Sequence, residues 1–166
     1  MTRESVHNLF SMVLQDTWLF EGTARENLVY SKTGVTDQQL EAACRACGIY
    51  HFIETLPQGF DTVLDSGIAI SAGQKQLLTI ARAMIQDNPM LILDEATANV
   101  DPENEDRLQK AIEALTRNKT ILMIAHRLKT VRNADQILVL DDGQIVQRGT
   151  HSQLMAREGL YQAFVS

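Results

Sequence analysis

The stretch Met90-Leu-Ile-Leu-Asp-Glu95 decides the fold, because four apolar residues run directly into two carboxylates. A short, continuous apolar run of this kind is typical of a strand that is buried on both faces of a parallel sheet. In such sheets, ligands bind beyond the carboxyl ends of the strands. We therefore expect the carboxylates of Asp94 and Glu95 at the functional edge of an α/β sheet.

Three further apolar runs have the same character, and helical patterns lie between them. The runs are Ser11–Leu14, Thr120–Ala125 and Gln136–Leu140. Alternation of strands with helices predicts a mostly parallel sheet joined by crossover helices. Asp141-Asp-Gly143, which precedes Ile145 and Val146, predicts a hairpin turn near the end of that sheet.

Two predicted helices flank the strand that begins at Met90. The first begins at Ser71 and ends at Asn88-Pro89, and the second begins at Pro102, after an N-capping Asp101. Their apolar faces comprise Leu77, Ile80, Ala81, Met84 and Ile85 in the first helix, and Leu108, Ala111, Ile112 and Leu115 in the second. Residues 23–65 are also mostly helical in pattern and predict a helical insertion beside the sheet. One or two short helices are predicted from about Ser152.

Charge and hydropathy argue against several classes of protein. The formal net charge of −6 and the scattered basic residues argue against a nucleic-acid binder. The apolar runs are far shorter than the roughly 20 residues that cross a bilayer. A secretory signal begins with a basic segment followed by an apolar one, and the sequence does not show this pattern. These features predict a segment that works in the cytoplasm.

The cysteines Cys44 and Cys47 form a lone Cys-x-x-Cys. A zinc site needs a second pair of ligands, and a redox site needs the motif at the start of a helix after a strand. Neither feature is present. Thr36 and Gln39 instead predict a capping box, after which one helix face carries Leu40, Ala43, Cys44 and Cys47. We therefore expect both thiols to pack in the core as small hydrophobic groups.

Polar side chains follow three of the four predicted strands. Gln15 follows the first strand, Asp94 and Glu95 follow the second, and His126 follows the third. Taken alone, an Asp-Glu pair also suits a solvated turn or a helix N-cap, and a single glutamine or histidine is unremarkable. Taken together at one sheet edge, they predict an active site. In it, Asp94 would bind Mg²⁺ and Glu95 would take a proton from an attacking water.

Ser71-Ala-Gly-Gln74 opens the helix that precedes the Asp-Glu strand. Free backbone N–H groups and the positive end of the helix dipole favour a phosphate there. The Ser71 hydroxyl and the close backbone approach at Gly73 would add donors. The same four residues also suit an ordinary serine N-cap, and their position ahead of the Asp-Glu strand is what favours the phosphate.

These motifs, in this order, resemble the nucleotide-binding domain of ATP-binding cassette (ABC) transporters over essentially the whole chain. The matching stretches are Val13–Thr23 for the Q-loop of the exporter branch, Ile70–Gln74 for the signature, Met90–Glu95 for Walker B, Ala98–Asp101 for the D-loop, His126 for the switch histidine and Thr62–Gly67 for a loop that touches the membrane domains. The resemblance implies one partial domain over residues 1–166. It would combine a partial P-loop NTPase (RecA-like) α/β core with a mostly parallel sheet, residues 1–22 and 87–166, and a helical ABC-specific subdomain, residues 23–86.

The resemblance also implies a composite ATP site between two such domains that pair head to tail. The implied roles are catalysis for Glu95 and His126, Mg²⁺ binding for Asp94 and Gln15, and nucleotide binding for Gln15, Ser71, Gly73, Gln74 and Asp101. The implied partners are the transmembrane domain of an exporter and a second nucleotide-binding domain, at the cytoplasmic side of the membrane, with no nucleic acid. Trp18, Leu19 and Phe20 suit either the core or a surface that docks the membrane domain.

The sequence departs from the family pattern in three respects. It contains no Gly-x-x-x-x-Gly-Lys-Ser/Thr phosphate loop (Walker A) and no upstream aromatic residue to stack on adenine, and Ala72 replaces the first glycine of the signature. Without the phosphate loop and its lysine, we expect negligible ATP affinity and no turnover for this segment alone. The Ala72 exchange is expected to be tolerated, and it fits one half of an asymmetric, heterodimeric exporter.

Three functions are consistent with these features. The favoured one is the C-terminal portion of the ATP-hydrolysing domain of an ABC exporter, acting with a Walker A segment and membrane helices. The alternative is a non-catalytic truncated ABC module, or a gene remnant, that only pairs with other ABC domains. A soluble ABC ATPase of DNA repair or translation is disfavoured by the acidic charge and by the exporter-like stretch Leu19-Phe-Glu-Gly-Thr23.

Overall fold

The computed structural model describes Arg3, Ser5 and residues 9–13, 18–65, 67–94, 102–125 and 131–165. The chain divides into two compact units, Met1–Ile124 and Ala125–Ser166.

The first unit contains a parallel sheet of three strands in the order β1-β2-β3. The strands are β1 (Phe10–Val13), β2 (Met90–Asp94) and β3 (Thr120–Ile124). Val13 lies opposite Leu93, and Asp94 lies opposite Ile124. The predicted parallel sheet is therefore confirmed, with strand ends within one residue of those expected from the sequence.

Seven helices lie entirely within the described ranges, together with one 3₁₀ turn. Five belong to the first unit and two to the second: α1 (Ala24–Val29), α2 (Asp37–Ala46), α3 (Tyr50–Thr55), α4 (Ala72–Gln86), α5 (Pro102–Thr116), α6 (His151–Met155) and α7 (Leu160–Val165), with the 3₁₀ turn at Gly59–Asp61. The stretch 23–65 is thus helical, as predicted, and its one β-type contact is the isolated bridge between Thr23 and Val63. No helix in the described ranges combines the length and the apolar character that crossing a bilayer requires.

The crossover helices α4 and α5 bury the faces that their periodicity predicts. Seven of the nine predicted apolar residues are buried, and Met84 and Ile112 are partly buried against the same core. Asp87 caps the C-terminus of α4 and adopts a left-handed backbone conformation with φ of 51°. The helix α5 begins at Pro102, where a fixed φ favours the first helical turn. Asp101, its predicted N-cap, lies outside the described residues.

The sheet is covered on one face in the described part of the chain. Leu91 and Leu93 of β2 are buried in the core that contains α4 and α5, whereas Leu122 and Ile124 of β3 are exposed. The expectation that the strands are buried on both faces is therefore wrong for β3. A continuous apolar run does not reveal how many faces of the strand are covered, because its side chains alternate between two faces that are both apolar. Only the elements that pack on the sheet decide which face is buried.

The predicted hairpin forms in the second unit from β4 (Ile137–Asp141) and β5 (Gln144–Gly149). Asp142 and Gly143 both have positive φ, 46° and 75°, as a tight hairpin turn requires. Among the described residues, β4 and β5 form a two-stranded sheet of their own, and the predicted position of the hairpin near the end of the parallel sheet stays a prediction. Of β4, only Ile137 is buried, and it packs with Leu154 and Tyr161 from the two short helices.

The capping box that was predicted before α2 is present. The Thr36 hydroxyl accepts a hydrogen bond from the Gln39 N–H, and the Gln39 side chain accepts one from the Thr36 N–H. Cys44 and Cys47 are both buried, free thiols, as the packing interpretation predicts. Burial raises the pKa of each thiol to about 12, so both are protonated at neutral pH.

Candidate functional site

The parallel register brings the carboxyl ends of the three strands to one edge of the sheet. The described strands end there at Val13, Asp94 and Ile124. Three predicted site residues come shortly after these strand ends in the sequence, namely Gln15, Glu95 and His126. A fourth, Asp101, is the predicted N-cap of α5. All four lie outside the described residues, so their contacts remain predictions.

Asp94 is the predicted metal ligand that the structure describes. It is the last residue of β2, its side chain is partly buried, and its Oδ1 atom is buried. A carboxylate in this position suits Mg²⁺, which takes one or two protein carboxylates and fills its other positions with water and phosphate oxygens. The described residues contain no cluster of three or more His, Cys, Asp or Glu side chains that holds a metal by itself. The one described carboxylate at this strand end therefore fits a magnesium ion that phosphate and water oxygens also bind.

Ser71 begins α4 through a complete capping box. Its Oγ accepts a hydrogen bond of 3.1 Å from the Gln74 N–H, and Gln74 Oε1 accepts one of 3.0 Å from the Ser71 N–H. The ordinary N-cap interpretation is therefore correct. It leaves the Ser71 O–H as a donor, because a hydroxyl accepts and donates at once. Ser71 is exposed and Gly73 is buried, so capping and phosphate binding are compatible at this helix end.

Three aromatic side chains form a surface cluster, called here the aromatic surface: Trp18, Phe20 and Tyr30. The Trp18 ring centroid lies 5.6 Å from that of Phe20 and 6.4 Å from that of Tyr30. Trp18 is 58% exposed and Tyr30 is 57% exposed, while Leu19 packs against the core. The core interpretation is thus correct for Leu19 and wrong for Trp18.

A shallow cavity of about 450 Å³ adjoins the aromatic surface. Phe20, Tyr30, Val29 and Val35 supply apolar walls, and Arg25 and Glu26 supply charge. Arg25 donates from Nε to Asp61 Oδ1 over 2.9 Å and also pairs with Asp37. The hydrogen bonds to these two carboxylates raise the pKa of Arg25, with the Asp61 bond the larger cause. The cavity lining therefore combines apolar side chains with one cation and one anion, and the cation is held by two carboxylates.

Two residues of this region were missed from the sequence, namely Asn27 and Arg82. Asn27 is 1% exposed; its Oδ1 accepts from the Phe20 N–H, and its Nδ2 donates to the carbonyls of Phe20 and Thr23. Arg82 of α4 donates to backbone carbonyls of Asn27 and Trp18. An asparagine inside a helical pattern is the only signal in the sequence, since it is disfavoured there unless its amide has partners.

Comparison with known proteins gives the same picture of the chain. The sequence model described as "ABC transporter" matches residues 1–98. The fatty acid ABC transporter ATP-binding/permease protein of Mycobacterium bovis is 48% identical over 162 residues, which is 97% of this chain and 26% of that protein. The ATP-dependent lipid A-core flippase of Desulfotalea psychrophila is 46% identical over 163 residues, 98% of this chain and 28% of that protein.

A solved structure supports the fold. A bacterial Atm1-family ABC exporter with ATP bound superposes with a TM-score of 0.84 at 36% identity, and the match covers 99% of this chain and 29% of that one. The chain therefore spans between a quarter and a third of the length of these relatives. It belongs to the ABC transporter family and represents part of an ATP-binding domain whose relatives are of the exporter type.

Proposed function

We propose that the chain is the C-terminal portion of an ATP-hydrolysing domain that drives transport by an ABC exporter. In this proposal it supplies Walker B, the switch histidine and the signature helix, and a separate segment supplies the phosphate loop. The parallel register of β1, β2 and β3, whose carboxyl ends lie at one edge of the sheet, is the observation that supports it most strongly. The motif residues follow these strands in the sequence, and ligands of open α/β sheets bind at the edge where such strands end.

The chemistry follows from the residues at that edge. Asp94 would hold Mg²⁺ together with Gln15, and the ion would neutralise charge on the phosphates of ATP. Glu95 would accept a proton from the attacking water, and His126 would contact the γ-phosphate. Asp101 would bridge the two ATP sites of the pair. These roles are carried over from the family motifs onto the matching positions.

The signature helix would act on the ATP that the partner domain holds. Ser71 is exposed, its O–H is a donor, and the first turn of α4 presents backbone N–H groups at the positive end of the helix dipole. Gly73 and Gln74 would complete the contact, Gly73 through its backbone and Gln74 by holding the cap. Each ATP would then lie between Walker A of one domain and Ser71 of the other.

The aromatic surface would face the transmembrane domain. Exposed aromatic residues favour interfaces, since they bury a large area at a small cost in side-chain entropy. The adjoining cavity offers an apolar floor for a short helix from that domain. The proposal therefore puts the chain at the cytoplasmic side of a membrane, attached through its partner. Within it, residues 23–86 form the helical subdomain, and residues 1–22 and 87–166 belong to the α/β core.

A chimeric transporter tests this function. The chain replaces the matching 163-residue segment of the Desulfotalea flippase, so that the flippase supplies its own phosphate loop and membrane helices. We expect ATP turnover by the chimera, none by the chain alone, and loss of turnover in Glu95→Gln. Glu113→Gln makes the same change at an exposed position of α5 and should leave turnover intact. A folded chimera that binds ATP without hydrolysing it would favour the non-catalytic module instead.

A further inference from the structure

We propose that Arg82 is a positioning residue that transmits movement of the aromatic surface to the signature helix α4, an inference that rests on the proposed function. Arg82 lies on α4, eleven residues after Ser71, or about 16 Å along a helix with 1.5 Å rise per residue. Its side chain reaches the segment that begins three residues after Gln15.

The contacts of Arg82 form a fork that joins two separate stretches of chain. Its Nε donates to the Asn27 carbonyl over 2.6 Å, and one Nη donates to the Trp18 carbonyl over 3.1 Å. The other Nη lies 3.3 Å from Asn27 Oδ1. A planar guanidinium presents its donors in a rigid arrangement. A shift of the Asn27 or Trp18 carbonyl would therefore displace the Arg82 side chain and, with it, α4.

Asn27 extends this link to the aromatic surface. Its buried amide bonds both the N–H and the carbonyl of Phe20, at 3.0 Å each. Arg82 also stacks over the Tyr30 ring, with its Cζ atom 5.4 Å from the ring centroid. All three aromatic residues are therefore connected to one side chain of α4, two through their backbone and one through its ring.

Two further observations favour a mechanical role over a purely structural one. Within the described residues, Arg82 takes part in none of the ion pairs, and its half-buried guanidinium bonds the neutral oxygens of Trp18 and Asn27 there. Holding a chain segment with a charge bonded to neutral groups is costly. Tyr30 has a φ of 52° at the end of α1, a strained conformation for a bulky residue. Strain of this kind is typical of sites that move or bind.

The conservative variant Arg82→Lys tests the inference. Lysine keeps the charge and the stem but cannot bond both carbonyls through one planar group. In the flippase chimera we expect kcat to fall about tenfold, as the loss of roughly one charged hydrogen bond implies, with KM for ATP within about twofold. Arg45→Lys is the matched control, because Arg45 also stacks on a tyrosine, Tyr50, but lies on α2.

A second measurement examines the link without ATP turnover. Trp18 is the only tryptophan of the chain, so the fluorescence anisotropy of the 166-residue chain reports the aromatic surface alone. Arg82→Lys should lower this anisotropy, and Arg45→Lys should not. Unchanged anisotropy would overturn the link, and a kcat equal to that of Arg45→Lys would overturn the coupling. A fall in kcat that merely follows the fraction of unfolded protein would also overturn it.

The two proposals fail in distinguishable ways. If the wild-type chimera shows no turnover, the proposed function is wrong and the coupling role of Arg82 is wrong with it. The Trp18 measurement then still decides whether Arg82 holds the segment after Gln15. If the chimera turns over ATP and only the Arg82 predictions fail, the proposed function stands and Arg82 is a structural residue.

Discussion

A comparison of Ser71 with Thr36 distinguishes two roles of a capping hydroxyl, helix capping and phosphate binding. Both begin helices of ten residues or more, and both form complete capping boxes with the glutamine three residues later. The hydroxyl accepts from the glutamine N–H at 3.1 Å in one case and 3.3 Å in the other. Because the geometry is the same, Ser71→Ala and Thr36→Ala should each lower the free energy of unfolding by about 1 kcal/mol.

The two variants should differ in ATP turnover. In the proposed site, the Ser71 hydroxyl donates to a charged phosphate oxygen, and a hydrogen bond to a charged group contributes about 1.5–3 kcal/mol. Ser71→Ala in the flippase chimera should therefore lower kcat/KM by roughly ten- to hundredfold. Thr36 caps α2 and is not among the predicted site residues, so Thr36→Ala should change kcat/KM by less than about twofold.

Two assays are needed for this comparison. Urea unfolding of each variant gives the cost of the lost cap, and steady-state phosphate release gives kcat/KM at a temperature where both variants remain folded. Equal losses of turnover in Ser71→Ala and Thr36→Ala would refute the reasoning, since capping alone would then explain Ser71. A loss confined to Ser71→Ala would assign the hydroxyl to the nucleotide.

Three further predictions concern stability. Burial raises the pKa of Cys44 and Cys47 from 9.0 to about 12. The thiols of the unfolded chain therefore ionise first as the pH rises, and the stability that burial provides below pH 9 is lost above it. The free energy of unfolding at pH 10 should be lower than at pH 8 by about 1.4 kcal/mol per thiol. Cys47→Ala should halve that difference, and an unchanged pH dependence would contradict the burial of the thiol. Asn27→Ala leaves the partly buried N–H and carbonyl of Phe20 without their amide partner and should cost about 3 kcal/mol in urea unfolding. A cost below about 1 kcal/mol would contradict these hydrogen bonds. Tyr161→Phe removes the 2.8 Å contact with His151 Nδ1 and should cost about 1 kcal/mol in thermal unfolding, whereas equal stability would mean that water replaces the hydroxyl.

Local features of this fold could be predicted from the sequence because local chemistry determines them. The capping boxes at Thr36 and Ser71 need only two residues at a fixed spacing, and both are present. The Asp142-Gly143 turn needs two residues that tolerate positive φ. The parallel sheet follows from the alternation of strands and helices, because a strand cannot return parallel to its neighbour without a crossover.

The features that could not be predicted depend on contacts between distant residues. Arg82 and the Trp18 carbonyl are 64 residues apart in the sequence, and no periodicity encodes such a bond. The exposure of Leu122 and Ile124 on β3, and the separate pairing of β4 with β5, depend on which elements cover each strand. An apolar run reports that a strand is apolar, and only the packing decides which of its faces is covered.

Mixed dimers of the flippase chimera test the central claim, a composite ATP site, most directly. One copy carries Glu95→Gln and the other carries Ser71→Arg, a bulky charge at the exposed signature position. If each ATP lies between Glu95 of one copy and Ser71 of the other, this dimer has one site with both lesions and one intact site, and turnover returns. A dimer of wild type with the double variant then has one lesion in each site and stays inactive. Turnover by the second dimer and none by the first would contradict the composite site, because each copy would then hydrolyse ATP with its own residues.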